Sequence, residues 1–291
     1  MEELLLKYSA WIELIIYLID FNMFRNITPV VKNLLIINIV VFLCQQLLRS
    51  ADFTGIMSLW NIGSPNFKPY QFFTYMFAHS PGGLMHIIFN MLGLVFLGPL
   101  LERFWGSQRF LIFYMVTGIG AGVLYSGMIL VQNSKVNERL DAFYSEPNPQ
   151  NFNTLIVENP TITKFRPEVF DFIDVFDKHP TNQHYVQVAK NYAVDVRKVE
   201  IDFGKMLGAS GAIYGILMAF GMLFPNTQMM LLFPPIPIKA KYLVLILGLY
   251  ALYAGFSQNP NDQTAHFAHL GGMVFAFIMI KIWQSKRDSF Y

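Results

Sequence analysis

Charge is scarce in this 291-residue chain: Asp, Glu, Lys and Arg make up 14% of it, against about 25% in soluble domains. Hydrophobic residues reach 54%, so much of the surface is expected to face something other than water. Cysteine is nearly absent. Cys44 stands alone in an apolar run, which excludes an intrachain disulfide framework. The start carries Glu2 and Glu3 and no basic stretch, and is not expected to be a cleaved signal peptide. Metal-binding motifs of the H-E-x-x-H kind are missing. No Asp falls in the apolar segments described next, which argues against a protease built on two aspartates. No metal, cofactor or nucleic acid is expected.

What is present is a series of apolar runs. A bilayer core needs about 20 apolar residues in a helix, and six segments qualify as candidates: 31–48, 84–101, 110–131, 208–224, 241–256 and 266–283. Residues 1–28 are apolar but interrupted by Glu13, Asp20 and Arg25. They read as an interfacial amphipathic helix, with a seventh span as the alternative. The charge is unevenly placed. Residues 132–203 hold eight Lys/Arg and eleven Asp/Glu, a net of −3, while the remainder carries +5. The expected organisation is an N-terminal segment 1–28, three spans within 29–131, an insertion at 132–203, three more spans within 204–284, and a tail at 285–291.

Lys/Arg bias in short loops sets orientation. One side gathers Lys7, Arg25, Lys32, Arg103, Arg109, Lys239, Lys241, Lys281, Lys286 and Arg287. The other holds Arg49, Lys68 and Lys205 with the insertion. Both termini are therefore expected in the cytoplasm, and the insertion outside. Patterns such as VFDFIDVF and HYVQVAKNYAVDV within the insertion suggest local helix or strand.

Several polar residues sit inside the apolar runs, where they face a bundle interior and mark function by default. Ser210 lies in GASG at the start of the fourth segment. Flanking glycines let backbone and substrate come close, and a helix N-terminus favours a developing oxyanion. Tyr214 follows one turn later. Read alone, Ser210 is more readily a small residue for helix packing. His269, in AHFAHLGG, can take a hydroxyl proton and return it to a leaving amine. Read alone it is equally a buried, hydrogen-bonded histidine. His266 lies one turn before it. Gly272 and Ala276 on one segment, and Gly211 and Gly215 on the other, form small-x-x-x-small pairs that would let the two helices approach closely. His86 and Asn90 share a helix face and can both donate to an oxygen that becomes negative, or simply hydrogen-bond between helices.

In order, LMHIIFN at 84–90, LERFWG at 101–106, GASGAIYG at 208–215 and AHLGG at 268–272 resemble the motifs of the rhomboid intramembrane serine protease family. The resemblance covers roughly 30–131 and 204–283. It implies an all-α polytopic membrane protein, a six-helix rhomboid-like bundle. It implies a Ser210–His269 dyad without an acidic third member, with Tyr214 bracing the imidazole and an oxyanion hole of His86, Asn90 and the Ser210 backbone N–H. Gly208, Gly211, Gly272, Glu102 and Gly106 would support the site. The implied activity is endopeptidase cleavage in or near the spans of single-span membrane proteins. Substrate would pass beside the fifth segment, under the 257–265 loop. Membrane lipids are the other expected partners, and a bacterial inner membrane the expected location. The chain departs from the family at Tyr70-Gln71, where Trp-Arg is usual, at Ala276, where glycine is usual, and in the whole insertion. The alternative reading is a catalytically inactive rhomboid-like binder of membrane proteins.

Overall fold

A computed structural model describes residues 27–202, 204–230, 236–257 and 264–288. The expected amphipathic helix at 1–28 falls almost entirely outside the described residues, as do most of the 257–265 loop and the last three residues. In chain order the elements are α1 (Pro29–Leu47), α2 (Phe53–Met57), β1 (Leu59–Trp60), α3 (Gln71–Thr74), α4 (Leu84–Trp105) and α5 (Ser107–Ser145). They continue with α6 (Pro149–Val157), α7 (Ile162–Phe165), α8 (Val169–Lys178), α9 (Gln183–Arg197) and β2 (Lys205–Met206). The last are α10 (Ser210–Leu223), β3 (Gln228–Met230), β4 (Pro237–Lys239), α11 (Ala240–Ser257) and α12 (His266–Asp288). Helices α1, α4, α5, α11 and α12 are long and apolar enough to cross a bilayer, and α10 is apolar but shorter. The protein is an all-α polytopic membrane bundle with two short two-stranded antiparallel sheets, β1 with β2 and β3 with β4.

Helix α1 begins at Pro29, whose fixed φ suits a first turn and whose missing N–H would have had no intrahelical partner. No side chain of its own caps it. Glu102 at the far end of α4 does so instead: it accepts from Val30 N at 3.1 Å, Val31 N at 3.0 Å, the Thr28 hydroxyl, and Ser107 Oγ at 2.6 Å on α5. One buried carboxylate thus joins the ends of three helices. Gly106, at φ 82°, makes the reversal between α4 and α5. Glu102→Ala would strand the Val30 and Val31 amides, at about 1–3 kcal/mol for each buried donor. A loss of roughly 3 kcal/mol in a denaturant titration of the detergent-solubilised chain is expected, and wild-type stability would contradict the assignment.

Helix α5 has 39 residues, about 58 Å at 1.5 Å per residue, against a hydrocarbon core of about 30 Å. The apolar third segment is therefore continuous with a polar extension that leaves the bilayer. Around this extension the insertion builds an apolar cluster of its own. Val136, Leu140 and Phe143 of α5 meet Phe152, Leu155 and Ile156 of α6, Val169 and Phe176 of α8, and Tyr192 and Val196 of α9. Arg166 rivets this unit. Its guanidinium lies 4.8 Å over the Tyr192 ring and pairs with Asp195 at 2.5 Å and Glu168 at 2.7 Å, holding the Glu168 carboxyl below its ordinary range.

The membrane core is organised around α10, which packs against α4, α5, α11 and α12. At 14 residues, or about 21 Å, α10 is too short to span the bilayer. Ser210 is its first residue.

Candidate active site

The segment that delivers Ser210 is fixed on both sides. Strand β2 pairs antiparallel with β1, Leu59 opposite Met206 and Trp60 opposite Lys205. Gly208 N then donates to Tyr75 O at 2.9 Å. Gly208 has φ 125°, a conformation L side chains rarely adopt, and a Cβ there would lie 2.8 Å from Cε1 and Nε2 of His86. The glycine is needed both for the turn and to let the His86 imidazole rest against it. Ala209 follows, and α10 starts at Ser210, whose N–H belongs to a first turn without intrahelical acceptors.

His269 lies in the first turn of α12, 8% exposed. Its Nε2 is 2.9 Å from Ser210 Oγ. With a neutral imidazole protonated on Nδ1, the serine hydroxyl donates to Nε2, the arrangement a general base needs. Tyr214, one turn below Ser210, stacks on His269 with centroids 4.0 Å apart and planes within 6°. His266 is not the histidine within reach of the hydroxyl. It stands at 89° to His269, 5.9 Å away.

Close approach of α10 and α12 depends on glycine. A Cβ on Gly272 would collide with the Gly211 carbonyl oxygen, and one on Gly211 would meet Ala121 of α5 and the Ala268 carbonyl. The small-residue pattern is not used as a simple pair of matching stripes, however. Gly215 packs against Thr117 of α5 rather than against α12, because α5 wedges beside the deeper half of α10. The narrow contact is therefore concentrated at the level of the serine and histidine.

His86 and Asn90 sit on the first two turns of α4. Ser80 N donates to His86 Nδ1 at 3.4 Å, so the ring proton resides on Nε2, the nitrogen beside Gly208. Asn90 commits one Nδ2 hydrogen to His86 O at 2.7 Å, leaving the other. Glu102 and Gly106 lie at the opposite end of α4 and act on helix packing as described above. Among the described residues, no group of three or more His, Cys, Asp or Glu could hold a metal ion.

Other polar residues shape the site without having stood out in the sequence. Gln71 is 1% exposed. It accepts from Trp60 N at 3.3 Å and Lys68 N at 3.0 Å, and donates to Asn66 O at 3.1 Å. It thereby organises the first loop. Gln45 of α1 grips both the N–H and the carbonyl of His79, each at 2.9 Å, and the His79 ring stands 5.2 Å from that of His86. Asn61 ties the loop to the end of the insertion, donating from Nδ2 to the Glu200 and Ile201 carbonyls and from its backbone to Gly204 O. The only signal for these in the sequence is a carboxamide set among apolar neighbours.

A family model described as the Rhomboid domain matches residues 66–134 and 185–285. A comparison with curated proteins returns no match. The matched stretches contain α4, the membrane part of α5, α10, α11 and most of α12, and leave 135–184 unmatched. The chain belongs to the rhomboid family, whose members are intramembrane proteases that act on membrane proteins.

Proposed function

We propose that this chain is an intramembrane serine endopeptidase working through a Ser210–His269 dyad. The observation that carries the reading is the 2.9 Å separation of Ser210 Oγ and His269 Nε2 at the N-terminus of α10. Ser210 attacks the scissile carbonyl carbon as His269 takes its proton. The imidazolium then protonates the departing amine, leaving an acyl group on Ser210. Water, deprotonated by His269, hydrolyses that ester and restores the serine. The oxyanion formed in each half is met by His86 Nε2–H, an Asn90 Nδ2–H and the Ser210 N–H. A preorganised donor of this kind is worth about 2.7–4 kcal/mol in the transition state. Tyr214 keeps the imidazole in plane.

The substrates are single-span membrane proteins whose helix unwinds beside the site, since extended backbone is what a serine nucleophile can reach. Residues that form helix poorly lower the cost of that unwinding. Helix α11 is the wall past which substrate arrives. The chain lies in a bacterial inner membrane; its termini are cytoplasmic and its insertion outside, the orientation that the Lys/Arg distribution favours.

A serine-directed fluorophosphonate tests the nucleophile without any knowledge of substrate. The detergent-solubilised chain should gain one adduct, located by mass spectrometry on Ser210. An adduct elsewhere, or labelling of Ser210→Ala equal to wild type, would overturn the proposal.

A further inference from the structure

Helix α11 is loosely anchored for its length. Of its residues only Ala240, Val244 and Ala251 are buried, while Leu245, Leu249, Tyr250 and Tyr253 are exposed. It meets α12 across glycines: a Cβ at Gly248 would touch Met273, and one at Gly255 would touch Phe267 and His266. From this helix a line of rings leads to the serine. Tyr250 stands edge-to-face to His266, centroids 5.7 Å apart and planes at 84°. His266 stands at 89° to His269, and His269 is stacked on Tyr214 and reaches Ser210. His266 itself is 6% exposed.

The two neighbours of His269 restrain different motions. A parallel stack resists tilting of the imidazole but allows it to slide in its own plane. The perpendicular His266 ring, 5.9 Å away, is a second contact that adds to this restraint. We propose that His266 is a positioning residue: it holds the His269 imidazole in register with Ser210 and makes that register depend on where α11 lies, through Tyr250. The inference rests on the dyad reading above. Movement of α11 away from α12 takes Tyr250 off His266, and the second restraint on His269 weakens until the wall returns.

A test that does not need turnover uses Ser210→Cys in a Cys44→Ala background. Alkylation of the introduced thiol by iodoacetamide, followed from pH 5 to 9, reports how well His269 draws its proton. Among the described residues, His269 has Ser210 and Tyr214 of α10 and His266 of its own helix against it, and His266 in turn meets Tyr250 of α11. On α5, Gly120 lies against Phe275 of α12 and Ala121 against Gly211 and Gly271, and neither of these α5 residues titrates. His266→Ala should slow alkylation at pH 7 about tenfold, less than the ~10²-fold that a 1 Å misplacement can cost. His266→Phe, which keeps the perpendicular ring, should retain most of the rate, and Tyr250→Ala should fall between. In the serine form, His266→Ala should lower kcat about tenfold with KM changed less than about twofold, as for a group acting on the transition state rather than on binding. Identical alkylation profiles for His266→Ala and its parent would overturn the proposal, as would a His266→Phe variant as impaired as His266→Ala. If the profile responds to His266 but the wild-type chain cleaves nothing, the coupling stands and the protease reading falls. If cleavage proceeds and neither readout responds to His266, the coupling alone falls.

Discussion

Cleavage of a membrane-embedded substrate should drop by about 10³-fold or more in His269→Ala, within the 10²–10⁴-fold range of a positioned general base plus the loss of its imidazolium as acid. The expectation follows from geometry. His269 Nε2 is 2.9 Å from Ser210 Oγ, so the variant leaves the hydroxyl at its ordinary, weakly nucleophilic state. His266, with its ring centroid 5.9 Å from that of His269 and perpendicular to it, cannot take over. Fluorophosphonate labelling should fall in parallel, and the chain should still melt near the wild-type temperature, because α10 and α12 remain in contact through Gly211 and Gly272. A His269→Ala chain that cleaves within tenfold of wild type would place the base elsewhere.

The second large effect belongs to a residue with no chemistry. A Cβ on Gly272 meets the Gly211 carbonyl oxygen, a backbone atom that cannot rotate away. Gly272→Val must therefore push α12 from α10, or unwind the first turn of one of them. Overpacking of a well-filled interior costs about 1–3 kcal/mol, and a 1 Å displacement of catalytic groups costs about 10²-fold in rate. Activity should fall by at least about that factor, with a measurable loss of stability, and Gly272→Ala should show a milder version of both. Wild-type turnover in Gly272→Val would mean that the two helices do not need this contact.

The membrane bundle was legible because its signals are local and strong. Long apolar runs bounded by Lys and Arg report spans directly, and the polar residues inside them have few structural excuses. The order LMHIIFN, LERFWG, GASGAIYG and AHLGG then carried the family, and the family model covers the same stretches. The structure brings Ser210, His269, Tyr214 and His86 to one end of the bundle. Three matters were not legible, each because it depends on contacts distant in the chain. The apolar third segment continues without a break to Ser145, since a helix does not end where its hydropathy does. Gly215 meets Thr117 on α5 and not the histidine helix, because α10 has four neighbours and spacing names only a face. Gln71, Gln45 and Asn61 act by clamping loop backbone, and a carboxamide's partner cannot be read from its own position.

The insertion illustrates the same limit. Its apolar residues looked like isolated short elements in the sequence. In the structure they close around the extension of α5, with Phe152 touching the rings of Phe143, Phe172, Phe176 and Tyr192. Through Asn61 the end of this unit is bonded to the same first loop that holds Gly208. The chain preceding the serine is thus anchored twice, through Asn61 and through the Tyr75 carbonyl.

The central claim is that Ser210 is the nucleophile for peptide hydrolysis within the bilayer. The purified chain, incubated with a generic single-span substrate, should release two fragments cut in or near the span, identified by mass spectrometry, and Ser210→Ala prepared in the same way should release none. Fragments produced by Ser210→Ala at the wild-type rate would contradict the account outright.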